Sequence, residues 1–184
     1  MDVMGINNTD EQQLQFIKHS SKNKCFMAGE NKLNIQNFII DPATIKIGWG
    51  VYEGIYDYVW DEKPGVRCAQ PTPEWKRAFS IEMYTSAYGA MLWRNFTWGE
   101  TQGVNKMLSL IWDDINANAG KVAAFTYTGV EDVNFKVGSS AVPQFVFKAW
   151  LDRPAEFVMP SQDAPPASEP EDPFNGLTND DLPF

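Results

Sequence analysis

Four short stretches of this chain set aromatic rings beside cations. Lys46 lies close to Trp49 and Tyr52, and Trp75 precedes Lys76-Arg77. Trp93-Arg94 is followed by Phe96 and Trp98, and Lys148 stands two residues before Trp150. A ring with a neighbouring ammonium or guanidinium can hold a flat, anionic, repeating ligand without making or breaking a bond. The ring stacks on a base and the cation meets a phosphate. Repeated along a chain with seven Trp and six Tyr, this pairing points to single-stranded nucleic acid. Any one such ring more often fills a core; the repetition is what argues for a surface.

Covalent chemistry finds no comparable set. Asp113-Asp114 sit on a helical pattern, where neighbours diverge by about 100° and do not readily share a metal ion. Glu131-Asp132 fall in a loop pattern, and both pairs read as solvated charge. Gly48-Trp49-Gly50 lacks the lysine and following helix of a phosphate loop. His19 is the only histidine and lies in a polar stretch, so a Ser or Cys nucleophile has no evident base. With Cys25 and Cys68 far apart and unpatterned, zinc is not expected either. The chain reads as a non-enzyme with no cofactor and no metal. The same cysteine usage fits a reducing cytoplasm. No apolar run is long enough to span a membrane, and the polar Met1–Asp10 is not a secretory signal.

Rings and cations act together only if strands turn them to one side. Thr44 to Tyr52 alternates, with Ile45, Ile47, Trp49 and Val51 on one face and Lys46, Gly48, Gly50 and Tyr52 on the other. That is the period of a half-buried strand. Phe79, Ile81 and Met83 alternate with Ser80, Glu82 and Tyr84. In Ala90–Trp98, Leu92, Arg94, Phe96 and Trp98 share a parity. Gly103 to Gly120 carries Val104, Met107, Leu108, Ile111, Trp112 and Ile115 at helical spacing. Lys121–Thr128 and Pro143–Leu151 read as two more strands, joined by a loop with a short strand at 132–137. Phe38-Ile39-Ile40 is a short strand ended by Asp41-Pro42, and residues 10–18 suggest a short helix. Gly54–Pro73, with Tyr56, Tyr58, Trp60, Lys63 and Arg67, reads as a long mobile loop holding at most a small hairpin.

Three strands, a helix and two strands predict a mainly β chain, an OB-fold-like five-stranded barrel with its helix between strands three and four. The less aliphatic faces carry Lys46, Tyr52, Tyr84, Arg94, Phe96, Trp98, Lys148 and Trp150. Together with Trp49, Lys76 and Arg77 they form the expected binding set.

The last six residues are Asn179-Asp180-Asp181-Leu182-Pro183-Phe184. Two carboxylates before an apolar hook suit a small apolar pocket with a basic rim. The ending resembles the acidic C-terminal peptide of bacterial and phage single-stranded DNA-binding proteins, in which Asp-Asp-x-Pro-Phe docks replication and repair enzymes. Residues 155–184 hold seven acids and six prolines and no Lys or Arg, so they are expected to be disordered. Asn37–Pro42, Ile47–Gly50, Pro143–Phe145 and Trp150–Ala155 are similar to stretches of small phage proteins linked to replication or recombination. The resemblance implies single-stranded DNA as one partner and replication or repair enzymes, held by Asp180, Asp181, Leu182, Pro183 and Phe184, as the other. It carries over no oligomeric state, which leaves monomer and dimer open.

Removing the seven tail acids from the 24 in the chain leaves 17 against 15 basic residues in residues 1–154, so the body is near neutral. Local charge then decides binding. The expected organisation is an N-terminal extension (1–29), an OB-like domain (30–154) and an acidic tail (155–184). The expected function is sequence-nonspecific binding of single-stranded DNA in phage replication, recombination or repair. Two other readings stand beside it. One is a scaffold that binds no DNA and mimics the tail peptide to hijack host proteins. The other is a strand-annealing recombination protein built as a large ring.

Overall fold

The computed structural model describes residues 14–155 and 157. Period-two alternation dominates them, and the chain is mainly β. The strands are β1 (Gln15–Ser20), β2 (Cys25–Ala28), β3 (Asn31–Leu33), β4 (Asn37–Ile40), β5 (Lys46–Tyr52), β6 (Tyr56–Trp60), β7 (Lys76–Thr85), β8 (Gly89–Asn95), β9 (Val122–Asn134) and β10 (Ser139–Leu151). The one helix among the described residues, α1 (Trp98–Ser109), lies between β8 and β9.

All ten strands join one sheet, in the order β10-β9-β4-β7-β8-β1-β2-β3. The long strand β7 organises it. Its first half pairs with β5, which carries β6, and its second half with β4. Along its other edge β7 pairs with β8. Only β1 and β8 run parallel.

The five-stranded OB-like barrel is therefore corrected to a ten-stranded mixed sheet that does not close. Three additions account for it. Short β4 inserts between β7 and β9, β6 pairs with the free edge of β5, and the β1–β2–β3 meander extends the sheet beyond β8. Residues 15–18, expected in a short helix, belong to β1. Phe16 and Lys18 alternate there with buried Ile17 and His19.

One face of the sheet is the core. Ile17, Phe38, Ile40, Phe79, Ile81, Met83, Met91, Trp93 and Phe125 meet Val104, Met107, Leu108 and Ile111 of the helical region. The helix begins five residues before the expected Gly103. Gly99 and Gly103 are poor helix formers, but they let α1 lie directly on β10. A Cβ at Gly99 would stand 2.6 Å from the Ala141 carbonyl oxygen, and one at Gly103 2.5 Å from Pro143 Cγ. Beyond Ser109 the chain continues in 3-10 turns at Trp112–Asp114 and Asn116–Asn118.

A buried polar network pins β1, β8, β9 and α1 together. Glu100 accepts the Trp93 indole N–H at 3.1 Å and also the His19 backbone N–H. His19 Nε2 lies 2.9 Å from the Tyr127 hydroxyl, which donates to the Lys24 carbonyl. The hydroxyl proton is thus committed, so His19 Nε2 is the donor in that pair. Burial pushes its pKa down to about 4, in keeping with a structural histidine.

Packing continues past β10, because Phe157 is fully buried. Of the expected tail at 155–184, residue 156 and residues 158–184, including the docking tip at Asp180–Phe184, lie outside the described residues. No helix among the described residues is long and apolar enough to cross a membrane.

Candidate nucleic-acid interface

The face of the sheet opposite the core gathers rings and cations. Cross-strand partners share a face, so the register places Lys46, Gly48 and Gly50 of β5 with Ser80, Ala78 and Lys76 of β7. Ser80 and Tyr84 stand in turn opposite Arg94 and Ala90 of β8. Phe16 of β1 pairs with Leu92 on the same side. Across β5, the residues Gly48, Gly50 and Tyr52 meet Trp60, Tyr58 and Tyr56 of β6.

Two glycines make this arrangement possible. A Cβ at Gly48 would stand 2.2 Å from the Val59 carbonyl oxygen, so β6 coils tightly over β5. A Cβ at Gly50 would stand 2.7 Å from Phe96 Cδ1 and 3.0 Å from Tyr58 Cε1, so these rings rest on bare backbone. Tyr58 and Trp60 stack at 5.1 Å and 5°. Tyr56 bridges Tyr52, at 5.0 Å, and Phe96, at 5.9 Å.

Arg94 sits at the centre. Its guanidinium carbon lies 5.1 Å from the Tyr58 ring, 5.4 Å from Phe16 and 5.7 Å from Trp60. Its Nε donates to Ser80 Oγ at 3.3 Å. The guanidinium lies among rings and against a hydroxyl, which fix its direction. Lys46 is exposed beside it, while Lys76 is half-buried and burial lowers its pKa. Rings that stay half-exposed next to cations on a rigid sheet can stack bases and meet phosphates.

The expected residues divide into two groups. Lys46, Tyr52, Lys76, Arg94 and Phe96 come together on this face. Tyr84 belongs to it by register, but its ring lies against Phe157 at 5.9 Å.

The others lie elsewhere. Trp49 points to the core side and is only 4 % exposed, with Arg67 and Arg77 at 4.5 and 4.9 Å from its ring centre. Its indole N–H donates to the Cys68 carbonyl at 3.1 Å. Arg77 pairs with the buried Asp61 carboxylate at 2.8 Å. Burial works against the Asp61 charge, but hydrogen bonds from Arg77 and Cys68 hold its pKa below the usual carboxylate value. Within Gly54–Pro73, expected as a mobile loop, Tyr56–Trp60 form β6 and these contacts tie Asp61, Arg67 and Cys68 to β5 and β7.

Trp98 opens α1 instead of ending a strand and packs edge-on against Phe135 at 5.0 Å. Trp150 packs on the core beside Phe147, and Lys148 is exposed at a register shift of β10.

Tyr56, Tyr58, Trp60 and Phe16 complete the site and were not in the expected set. Their signal was the alternation Tyr56-x-Tyr58-x-Trp60, masked by Asp57, Asp61 and Glu62, which made the stretch read as a loop.

Comparison with protein-family models, curated proteins and solved structures gives no match. The geometry of the face is thus the ground for any functional reading.

Proposed function

We propose that this chain binds single-stranded DNA without sequence preference, and that its tip at Asp180–Phe184 recruits replication or repair enzymes. The observation that carries the first half is Arg94 fixed among Phe16, Tyr58 and Trp60 on a face that also holds Lys46, Tyr52, Tyr56 and Phe96. Every base offers a π-face and every nucleotide a phosphate, so such a surface tolerates any sequence. It needs no closed barrel, because β5, β6, β7 and β8 build it from one side of an open sheet. The second half rests on the Asp-Asp-Leu-Pro-Phe sequence and its resemblance.

The test is fluorescence anisotropy of end-labelled oligo-dT titrated with the full chain at several salt concentrations. Binding should weaken linearly on a log–log scale. For roughly three phosphate contacts on a single strand the slope is about −2. Absence of binding at micromolar protein and low salt would overturn the reading.

A further inference from the structure

One end of the proposed interface holds a buried charge cluster. Glu82 of β7 lies on the face by parity, two residues from Ser80, whose partner across the strands is Lys46. Residues opposite and diagonal on one face are within electrostatic reach.

Lys46 is exposed, whereas Glu82 is 8 % exposed. The segment after β10 covers this end of β7. Phe157 packs on Tyr84, and the Arg153 guanidinium lies 5.5 Å from the Phe157 ring. Arg153 Nη2 stands 2.5 Å from the Oδ2 of Asp41, a second buried carboxylate. Asp41 N–H donates to the Glu82 carbonyl, and Glu82 N–H donates to Thr44 Oγ1.

Two buried carboxylates thus face one guanidinium, and that guanidinium is engaged by Asp41. Glu82 Oε2 has no hydrogen-bond partner among the described residues. Burial and Asp41 push the Glu82 pKa up to about 7, opposed by Arg153 and Lys46. From β8 the residue opposite is the uncharged Leu92, and Arg94 stands diagonal to Glu82, opposite Ser80.

We infer that binding of a polyanion at Lys46 is coupled to protonation of Glu82, so that single-stranded DNA is taken up together with a proton. A phosphate on Lys46 withdraws the one exposed cation facing Glu82 and sets a negative charge in its place. The buried carboxylate, whose Oε2 has no hydrogen-bond partner among the described residues, then takes a proton from solvent. By linkage, affinity falls as pH rises through the titration of Glu82. A single charge at about 10 Å in a medium of intermediate dielectric makes the full fall roughly tenfold.

The inference rests on the proposed binding face, and one experiment separates the two. Oligo-dT affinity of the full chain is measured from pH 6 to pH 8 at constant ionic strength. Proton uptake is counted by calorimetry in two buffers of different ionisation enthalpy. The expected result is roughly fivefold weaker binding at pH 8 than at pH 6 and net uptake of about half a proton per DNA bound between pH 7 and pH 8. Glu82→Gln should bind at every pH as the wild type does at pH 6, with no uptake. Salt-dependent binding with no pH dependence and no uptake overturns the coupling and leaves the face standing. A pH dependence that persists in Glu82→Gln also overturns it. No binding at any pH removes the face itself. The calorimetric count on the wild type decides the matter even if the variant does not fold.

Discussion

Strand β5 carries an aromatic–arginine cluster on each of its faces, and the two differ in what lies over them. On the core side, Trp49 is flanked by Arg67 and Arg77, its N–H is bound by Cys68, and Asp61 neutralises Arg77. On the other side, Arg94 lies among Phe16, Tyr58 and Trp60 and its Nε donates to the Ser80 hydroxyl. The residue types are the same. The first cluster is closed by a loop and holds the fold together. The second stays half-open to solvent. Adjacency of Trp and Arg in a sequence therefore does not separate structure from function; the covering element does.

Removing the rings at the heart of each cluster draws the sharpest contrast. Trp49→Ala should lose about 3–5 kcal/mol of stability, as large-to-small changes of buried aromatics do. Urea unfolding would register it, while oligo-dT affinity of the folded fraction stays within about twofold. Loss of binding without loss of stability would reverse the assignment of the two clusters.

The glycines come next. Gly50→Ala sets a Cβ against Phe96 and Tyr58, whose rings must move. A cost of roughly 1–3 kcal/mol in stability is expected, together with weaker DNA binding. Unchanged affinity in a destabilised protein would mean that the rings over Gly50 are packing only.

On the open cluster, Trp60→Ala should weaken binding by about 1–3 kcal/mol, the worth of one stacked base. Arg94→Lys keeps the charge but loses the planar guanidinium between rings. It should preserve the salt slope of binding while lowering affinity. A changed slope with unchanged affinity would contradict a stacked role for Arg94.

The smallest effects concern pH and stability. Glu82 has a folded-state pKa raised to about 7, so its contribution is full below its unfolded value and is lost as pH rises through 7. His19 has a pKa lowered to about 4, so its protonation erodes stability as pH falls below its unfolded value toward 4. The two trends oppose one another between about pH 4.5 and pH 6.5. Glu82→Gln should uncover the histidine trend, giving stability that rises with pH over that range and exceeds wild type at pH 8. Chemical denaturation at several pH values would show it, and an unchanged profile would remove Glu82 from the account.

Much of the fold was legible because apolar side chains follow the period of their element. The apolar residues of Ile45–Val51, Phe79–Met83 and Val104–Ile111 fall on one side and mark the core, although β5 and β7 are buried on both faces at Gly48–Val51 and Ala78–Met83. The start of α1 was hidden because Gly99 and Gly103 argue locally against a helix. Their reason is close approach to β10, 40 residues away in sequence, which no local pattern carries. The meander β1–β3 escaped because its strands have three to six residues and mix Lys, His and Asn with their apolar positions. At the site, parity correctly grouped Lys46, Tyr52, Arg94 and Phe96. It could not reveal that Asp61 cancels Arg77 or that Phe157 covers Tyr84, since both are long-range pairings. The ladder Tyr56-Tyr58-Trp60 had the right period, but acidic neighbours on the other face of β6 made it read as a loop.

The most direct test follows tryptophan fluorescence during titration with oligo-dT in wild type, Trp49→Phe and Trp60→Phe, at low and high salt. Quenching that reverses with salt is expected in the wild type and in Trp49→Phe, and most of it should vanish in Trp60→Phe. Full quenching in Trp60→Phe, or no quenching in the wild type, would contradict the claim that bases stack on the Arg94 face.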